Sequence, residues 1–269
     1  MGNPLKLMCI LAHPDDETLG TGSTVAKYAA EGVQVDLLVA TRGERGWNGS
    51  DEDYPGLTAL GQQREGELRC AAERLGIHQV DFMDYIDGDL DLADPAEAIG
   101  RIVRHIRQAR PQVVLTFSPD GAYGHPDHIA ISQFTTAATV CAADPDYSGA
   151  DHLPHHRISK LYYMAHSQEL TDTYFGLFGD IRMKIDGVER QGVAWYDWAI
   201  TTRIDGERYW PTVWQAVRCH ASQLPGFGDL CRITDDLHRR LWGERTYYRA
   251  FSLVNGGRSV GTDLFSGLR

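Results

Sequence analysis

The chain opens on a nearly unbroken apolar run, "LKLMCILA" at 5–12, and turns polar at His13. A short apolar run bounded by charge predicts a strand buried on both faces. A helix is expected from about Thr18 to Glu31, stopped by Gly32, and "VQVDLLVAT" (33–41) is the next buried strand. Strand, helix and strand in close succession are the start of a βαβ unit. "RGERGWNGSDEDYPG" (42–56) reads as a loop, and a helix returns over 57–75. Leu68, Ala71, Ala72 and Leu75 form its apolar stripe and Gly76 its stop. "VDFMDY" (80–85) is a short strand. Asp94, Pro95 and Glu97 then open a helix in a capping-box pattern, with Ile99, Ile102, Val103 and Ile106 on its buried face. "VVLTF" (113–117) is another buried strand, "SPDGAYGHPDH" (118–128) its loop, and "IAISQFTTAATV" a further helix.

This alternation predicts an α/β fold, Rossmann-like and doubly wound, with a mostly parallel sheet and helices on both faces. Beyond Cys141 the pattern weakens. "KLYYMA" (160–165) reads as one more strand of the sheet, while 166–206 is aromatic and irregular and predicts no element. Helices are expected over Glu207 to Gln223 and Asp235 to Trp242, and a closing strand over 246–254. The expected organisation is one domain over 1–269, an α/β core at 1–165 and a C-terminal part at 166–269 that completes the site.

With 269 residues, 42% of them hydrophobic, the chain can bury a sizeable core. Its net charge of −11 and the lack of a dense Lys/Arg run argue against nucleic acid and anionic membranes as partners. No apolar run is long enough for a membrane span. The five scattered cysteines form no CxxC, which excludes a zinc ribbon and a thioredoxin-type motif. Isolated thiols and a short N-terminal apolar run, unlike a signal peptide, point to the cytoplasm.

Both His-Pro-Asp stretches fall just after predicted strands, at the edge where open α/β sheets place their sites. In "HPDDE", His13 and Asp16 stand three apart. A chain turning into a helix after Pro14 projects both to one side. "HPDH" offers His125 and His128, again three apart, as sources of a third ligand. A His, Asp, His set suits Zn²⁺ or another divalent first-row metal, with Fe²⁺ and Co²⁺ as alternatives. Such a site also needs a base beside its water, and Asp15 is the natural candidate. Glu17 reads as a helix-capping acid.

"AHPDDE" after the first strand and "GAYGHPDH" after a later one resemble the PIG-L/LmbE family of metal-dependent N-deacetylases. "QQREGELRCAAERLG" resembles that family's arginine-containing helix and "RCHASQ" (218–223) a C-terminal stretch found there. The resemblance covers about Leu5 to Ser132 and implies roles for individual residues. His13, Asp16 and His128 would bind the metal. Asp15 would be the general base and later the acid. His125 would stabilise the oxyanion, with Asp127 orienting it. Tyr123 would lie near the substrate carbonyl, and Arg64, Glu44 and Asp87 would bind substrate. The implied reaction is zinc-dependent removal of an acetyl group from an N-acetylglucosamine-type small molecule or short oligosaccharide. The family includes monomers and rings, which leaves homo-oligomerisation open.

A hydratase of an unsaturated polycarboxylate, also found in this family, is the alternative. It needs cations near the metal, and Arg42, Arg45 and Arg64 are available. A carbohydrate-binding module without catalysis is disfavoured by the complete donor set. "LGTGSTV" (19–25) lacks the third glycine of a dinucleotide fingerprint, so no nucleotide cofactor is expected. "HLPHH" (152–156) reads as a solvated loop, His105 as exposed, and His78 and His238 as histidines without an identified partner. His220 is either a neighbour of the site or a satisfied core histidine, and the resemblance favours the first. The aromatics between Tyr162 and Trp214 are either core or a sugar-stacking surface.

Overall fold

A computed structural model describes residues 4–150, 153–179, 182–185, 187–228, 230–254 and 259–269. Seven strands form one sheet in the order β3-β2-β1-β4-β5-β9-β8. They are β1 (Lys6–Leu11), β2 (Gln34–Thr41), β3 (Gln79–Tyr85), β4 (Val113–Thr116), β5 (Lys160–Met164), β8 (Thr202–Asp205) and β9 (Glu244–Ser252). The first five are parallel, and β9 and β8 close the far edge antiparallel. The chain leaves β1 toward β2 and β3, then crosses back to β4 on β1's other side. That reversal opens a crevice between the carboxyl ends of β1 and β4, the usual ligand position in such sheets. Leu7 pairs with Val113 and Cys9 with Leu115, so the loops after the two strands emerge side by side.

Helices α1 (Asp16–Ala30), α2 (Leu57–Leu75), α3 (Pro95–Ala109), the turn α4 (Gly121–Gly124) and α5 (Pro126–Ala143) intervene. β1 and β2 are buried because helices cover both sheet faces, and their unbroken apolar runs follow from that. Gly76, in the left-handed conformation at φ 77°, ends α2 as expected. The Asp94 carboxylate accepts from the Glu97 N–H at 2.9 Å and caps α3, also as expected. Gly22 lies inside α1, where a Cβ would meet Val213 at 3.0 Å. The glycines of "LGTGSTV" thus serve helix packing.

The region without sequence periodicity holds α6 (Gln168–Phe178), the hairpin of β6 (Arg182–Ile185) and β7 (Val188–Gln191), and β8. Helix α7 spans only Trp210–Val217, shorter than the expected 207–223. Beyond it the chain tightens, with the Cys219 and His220 N–H groups bonded three residues back, and the Ser222 N–H then donates to the Glu67 carboxylate. Helix α8 (Asp235–Trp242) has the expected bounds.

Four further expectations need correction. Cys70 and Cys219 are not isolated: they form a disulfide with Cα atoms 5.8 Å apart, joining α2 to the segment after α7. His105 is half-buried, 3.6 Å from Asp81. His78 Nδ1 lies 3.0 Å from Asp36 Oδ1. His238 is buried, stacks on Trp210 and accepts from Trp242 Nε1 at 3.2 Å. In the 152–156 stretch, His156 Nε2 donates to Pro111 O at 2.6 Å, while His152 lies outside the described residues. The aromatics divide: Tyr162 and Tyr163 belong to the core, while Tyr196 and Trp198 stack on each other at 72% and 84% exposure. Among the described residues no helix is long and apolar enough to cross a membrane.

Candidate metal centre

His13 leaves β1 and His128 lies in the first turn of α5, on the loop side of β4. The adjacency of β1 and β4 brings their rings together. His13 Nδ1 lies 3.1 Å from His128 Nε2, 3.7 Å from Asp16 Oδ2, and Asp16 Oδ1 is 3.6 Å from His128 Nε2. The other edges of both rings fix the tautomers. His128 Nδ1 faces Gly121 O at 3.2 Å and must donate to it. His13 Nε2 faces Asp127 Oδ2 and Asp87 Oδ1, each at 3.1 Å, and donates there. Although burial opposes it, the Asp127, Asp87 and Asp16 carboxylates raise His13 well above its ordinary range, so a metal ion competes with a proton on Nδ1. With that proton gone, two nitrogen lone pairs and a carboxylate point at one another. That arrangement is repulsive unless a cation sits among the donors, and its donor set and carboxylate-backed histidine fit a zinc-type ion. His13 can also group with His125 and His128, or through Nε2 with Asp87 and Asp127. The Nε2 grouping is a hydrogen-bonded support, because that nitrogen carries the proton.

Asp16 is placed by backbone donors: His13 N–H at 2.7 Å and Ala12 N–H at 3.2 Å. Asp15 occupies the N-cap of α1 without a side-chain cap bond, in the left-handed region at φ 106°. Such a conformation costs about 1–3 kcal/mol and persists where its surroundings over-determine it. Its carboxylate instead accepts from Arg64 Nη2 at 3.1 Å. Burial pushes the Asp15 carboxyl above its ordinary range although Arg64 and His220 pull it down.

Arg64 was expected to bind substrate. In the structure its guanidinium is bound within the protein. It is 3% exposed, and its fork donates to Gly43 O, Pro14 O and Asp15. The resemblance makes Asp127 the residue that orients His125. It is the Asp127 backbone N–H that donates to His125 Nδ1, at 3.2 Å. The Asp127 carboxylate serves His13 and accepts from Gly88 and Leu90 N–H at 2.7 and 3.1 Å. Asp87, besides touching His13, accepts from Arg45 N–H, and Glu44 accepts from Asp87 N–H at 3.2 Å. The β2 and β3 loops thus reach the centre through these two acids.

His125 packs edge-on to His13 with centroids 4.8 Å apart, and Tyr123 lies 5.2 Å from His128. Burial, His13 and, more weakly, Arg190 hold His125 down at about 4. Arg190 comes from β7 and donates to Gly124 O, so the hairpin braces this loop. Sequence reading missed Arg190, and no motif marks it. Glu17 accepts from the N–H of the N-cap residue Asp15 at 3.0 Å, in keeping with its reading as a capping acid, and its other oxygen takes a hydrogen bond from His220 Nε2 at 2.8 Å. The signal for His220 was the "RCHASQ" resemblance.

The arginines that a polycarboxylate substrate would need are committed elsewhere. Arg42 pairs with Glu65 and Asp84, and Arg45 with Asp89. Arg64 is buried on Asp15.

Fold and site together define an open α/β protein with a His–Asp–His centre at a topological switch point and a carboxylate beside it. The chain belongs to the PIG-L family. The family described as GlcNAc-PI de-N-acetylase matches residues 8–139. A 1D-myo-inositol 2-acetamido-2-deoxy-alpha-D-glucopyranoside deacetylase from Streptomyces avermitilis is 33% identical, over 98% of this chain and 97% of its own. The N,N'-diacetylchitobiose deacetylase structure from Pyrococcus horikoshii superposes with TM-score 0.68 at 20% identity, covering 91% of this chain and 83% of its own. A 4-carboxy-2-hydroxymuconate hydratase from Pseudomonas putida KT2440 has the same fold, with TM-score 0.65 at 17% identity over 94% of this chain and 99% of its own.

Proposed function

We propose that the protein is a metal-dependent N-deacetylase that hydrolyses the acetamido group of an N-acetylglucosamine-type small molecule. One observation carries this reading: His13 Nδ1, Asp16 and His128 Nε2 converge within 3.1 to 3.7 Å, and the buried Asp15 carboxylate is near enough to interact with the charge of His13. His13, Asp16 and His128 would hold Zn²⁺, with Fe²⁺ or Co²⁺ admitted by the same donors. The ion supplies Lewis acidity toward water and the acetyl carbonyl.

The chain's own groups do the rest. Asp15 takes the proton from water and returns it to the leaving amine. His125 accepts from the Asp127 N–H on Nδ1, so its own proton is on Nε2, free to donate to the developing oxyanion. Burial and the surrounding carboxylates push the Tyr123 phenol well up, which keeps its O–H a donor at neutral pH. Asp87 and Glu44 retain acceptor lone pairs for sugar hydroxyls. Arg64 acts on the substrate only through Asp15. The named activity of the Streptomyces relative supports a GlcNAc–inositol conjugate as the first substrate to try.

The test is elemental analysis of the purified protein, paired with acetate release from a GlcNAc–inositol conjugate and N,N'-diacetylchitobiose, with and without chelator. About one zinc per chain with chelator-sensitive acetate release is the expected result. A metal-loaded protein that releases no acetate from any N-acetyl sugar would sink the deacetylase reading.

A further inference from the structure

Glu17 follows Asp16 in sequence but stays outside the donor cluster. It is 0% exposed and its two oxygens have separate partners. Oε2 accepts from the Asp15 N–H at 3.0 Å. Oε1 accepts from His220 Nε2 at 2.8 Å and from Thr18 Oγ1. His220 is 1% exposed in its side chain, and its buried Nδ1 has no hydrogen-bond partner among the described residues, so Nε2 is the ring's engaged edge there. A buried carboxylate is retained only when paired and hydrogen-bonded. Capping explains only Oε2, which accepts from the N-cap N–H in the manner of a capping box; the buried pairing of Oε1 with His220 is more than a cap requires.

Asp15 needs such support. Its backbone sits at φ 106°, where a residue with a Cβ is strained. Arg64 holds the Pro14 carbonyl and the Asp15 carboxylate from one side. Glu17 holds the Asp15 N–H from the other. We propose that Glu17 and His220 form a positioning pair that fixes Asp15 in this conformation and so aims its carboxylate at the metal centre. The inference rests on Asp15 being the base.

His220 acts through Glu17 and touches no reacting atom. Its segment is anchored independently of its ring. The Ser222 N–H and Oγ donate to Glu67 at 2.8 and 2.7 Å, and Cys219 is bonded to Cys70. Arg64, Glu67 and Cys70 all lie on α2, three residues apart in turn. Helix α2 therefore holds Asp15 twice: directly through Arg64, and through the 219–222 segment, His220 and Glu17. The anchors let the ring be changed without releasing the segment.

The experiment uses zinc-loaded protein and the acetate assay. His220→Phe fills the ring volume but cannot donate to Glu17, whereas His220→Gln can. The expected result for His220→Phe is a kcat about 10- to 100-fold lower, the scale of a small misplacement of a reacting group. KM and zinc content stay unchanged, and His220→Gln recovers most of the rate. Amide hydrogen exchange at Asp15, followed by NMR, becomes faster in His220→Phe and in Glu17→Gln. That second readout decides the matter even where activity is too low to measure. Unchanged kcat and unchanged Asp15 exchange in His220→Phe overturn the proposal, as does a loss confined to KM or zinc. Asp15→Ala separates the two claims. If it keeps full turnover, the base assignment itself fails. If it is inactive while His220→Phe is fully active, only the positioning pair fails.

Discussion

Asp127 Oδ2 lies 3.1 Å from His13 Nε2, on the ring nitrogen that faces away from Asp16 and His128. The same oxygen accepts from the Gly88 N–H, and its twin accepts from Leu90. Three donors therefore converge on one buried carboxylate. In Asp127→Asn one oxygen becomes an NH₂ group that faces a donor whichever way the amide turns. Supports of this kind typically set metal affinity by about 10- to 100-fold. Zinc affinity of Asp127→Asn, measured against a competing chelator, is expected to fall by about that factor. An affinity within about twofold of the unmodified protein would remove Asp127 from the account of the centre.

The metal ligands also set stability. His13 Nδ1 and His128 Nε2 face one another at 3.1 Å, where a bound metal ion would take the place of a proton. An ion that binds only the folded chain stabilises it by about 4 kcal/mol at a thousand times its Kd. Chelation should therefore lower the melting temperature, and zinc should restore it. In His128→Ala both treatments should leave the melting temperature nearly unmoved. A His128→Ala protein that still responds to zinc as the parent does would place the ion elsewhere.

Much of this centre is legible in the sequence because its information is local. The run "LKLMCILA" marks a buried strand, and "HPDDE" directly follows it. The capping pattern at Asp94 and the stop at Gly76 act within one helical turn, so the end of α2 and the start of α3 can be read directly. The supports are a different matter. Asp127 and His13 are 114 residues apart, His220 and Glu17 are 203 apart, and Cys70 and Cys219 are 149 apart. No periodicity links such positions. Only the strand order, with β1 beside β4, brings the first pair together. Arg64 illustrates a subtler gap: its presence on α2 is legible, but whether its fork faces solvent or Asp15 depends on loop geometry. The β6–β7 hairpin had a local signal that the sequence reading missed: "RMKI" (182–185) alternates polar and apolar residues, and an Asp-Gly pair follows it.

The Cys70–Cys219 bond closes a loop of 149 residues between α2 and the segment that carries His220 and Ser222. Cross-links over long loops restrict the unfolded chain, and removing a native one commonly costs about 2–5 kcal/mol. Cys70→Ser is expected to lose stability on that scale in denaturant titrations under oxidising conditions. Reductant should destabilise the parent and leave Cys70→Ser unchanged. Equal midpoints for the two proteins without reductant would mean that the thiols are not joined in solution.

His166 gives a pH dependence of definite sign. Burial first, and then the charge of Arg245, hold its imidazole at about 4 against an ordinary 6.5, with Asp120 pulling weakly the other way. Above 6.5 the ring is neutral in both folded and unfolded chains and has no effect on the balance. As pH falls from 6.5 toward 4 the unfolded chain takes up a proton that the folded one refuses. Stability contributed by the neutral ring is therefore lost through that window. Other groups titrate there too, so the measurement is a difference. Urea unfolding at pH 7 and pH 5, in excess chelator, compares the parent with His166→Gln, whose amide does not titrate. The parent should lose more stability between the two pH values than the variant does. Parallel losses would show that His166 takes up its proton as readily in the folded protein as in the unfolded chain, so that neither its partial burial nor the charge of Arg245 holds the ring neutral.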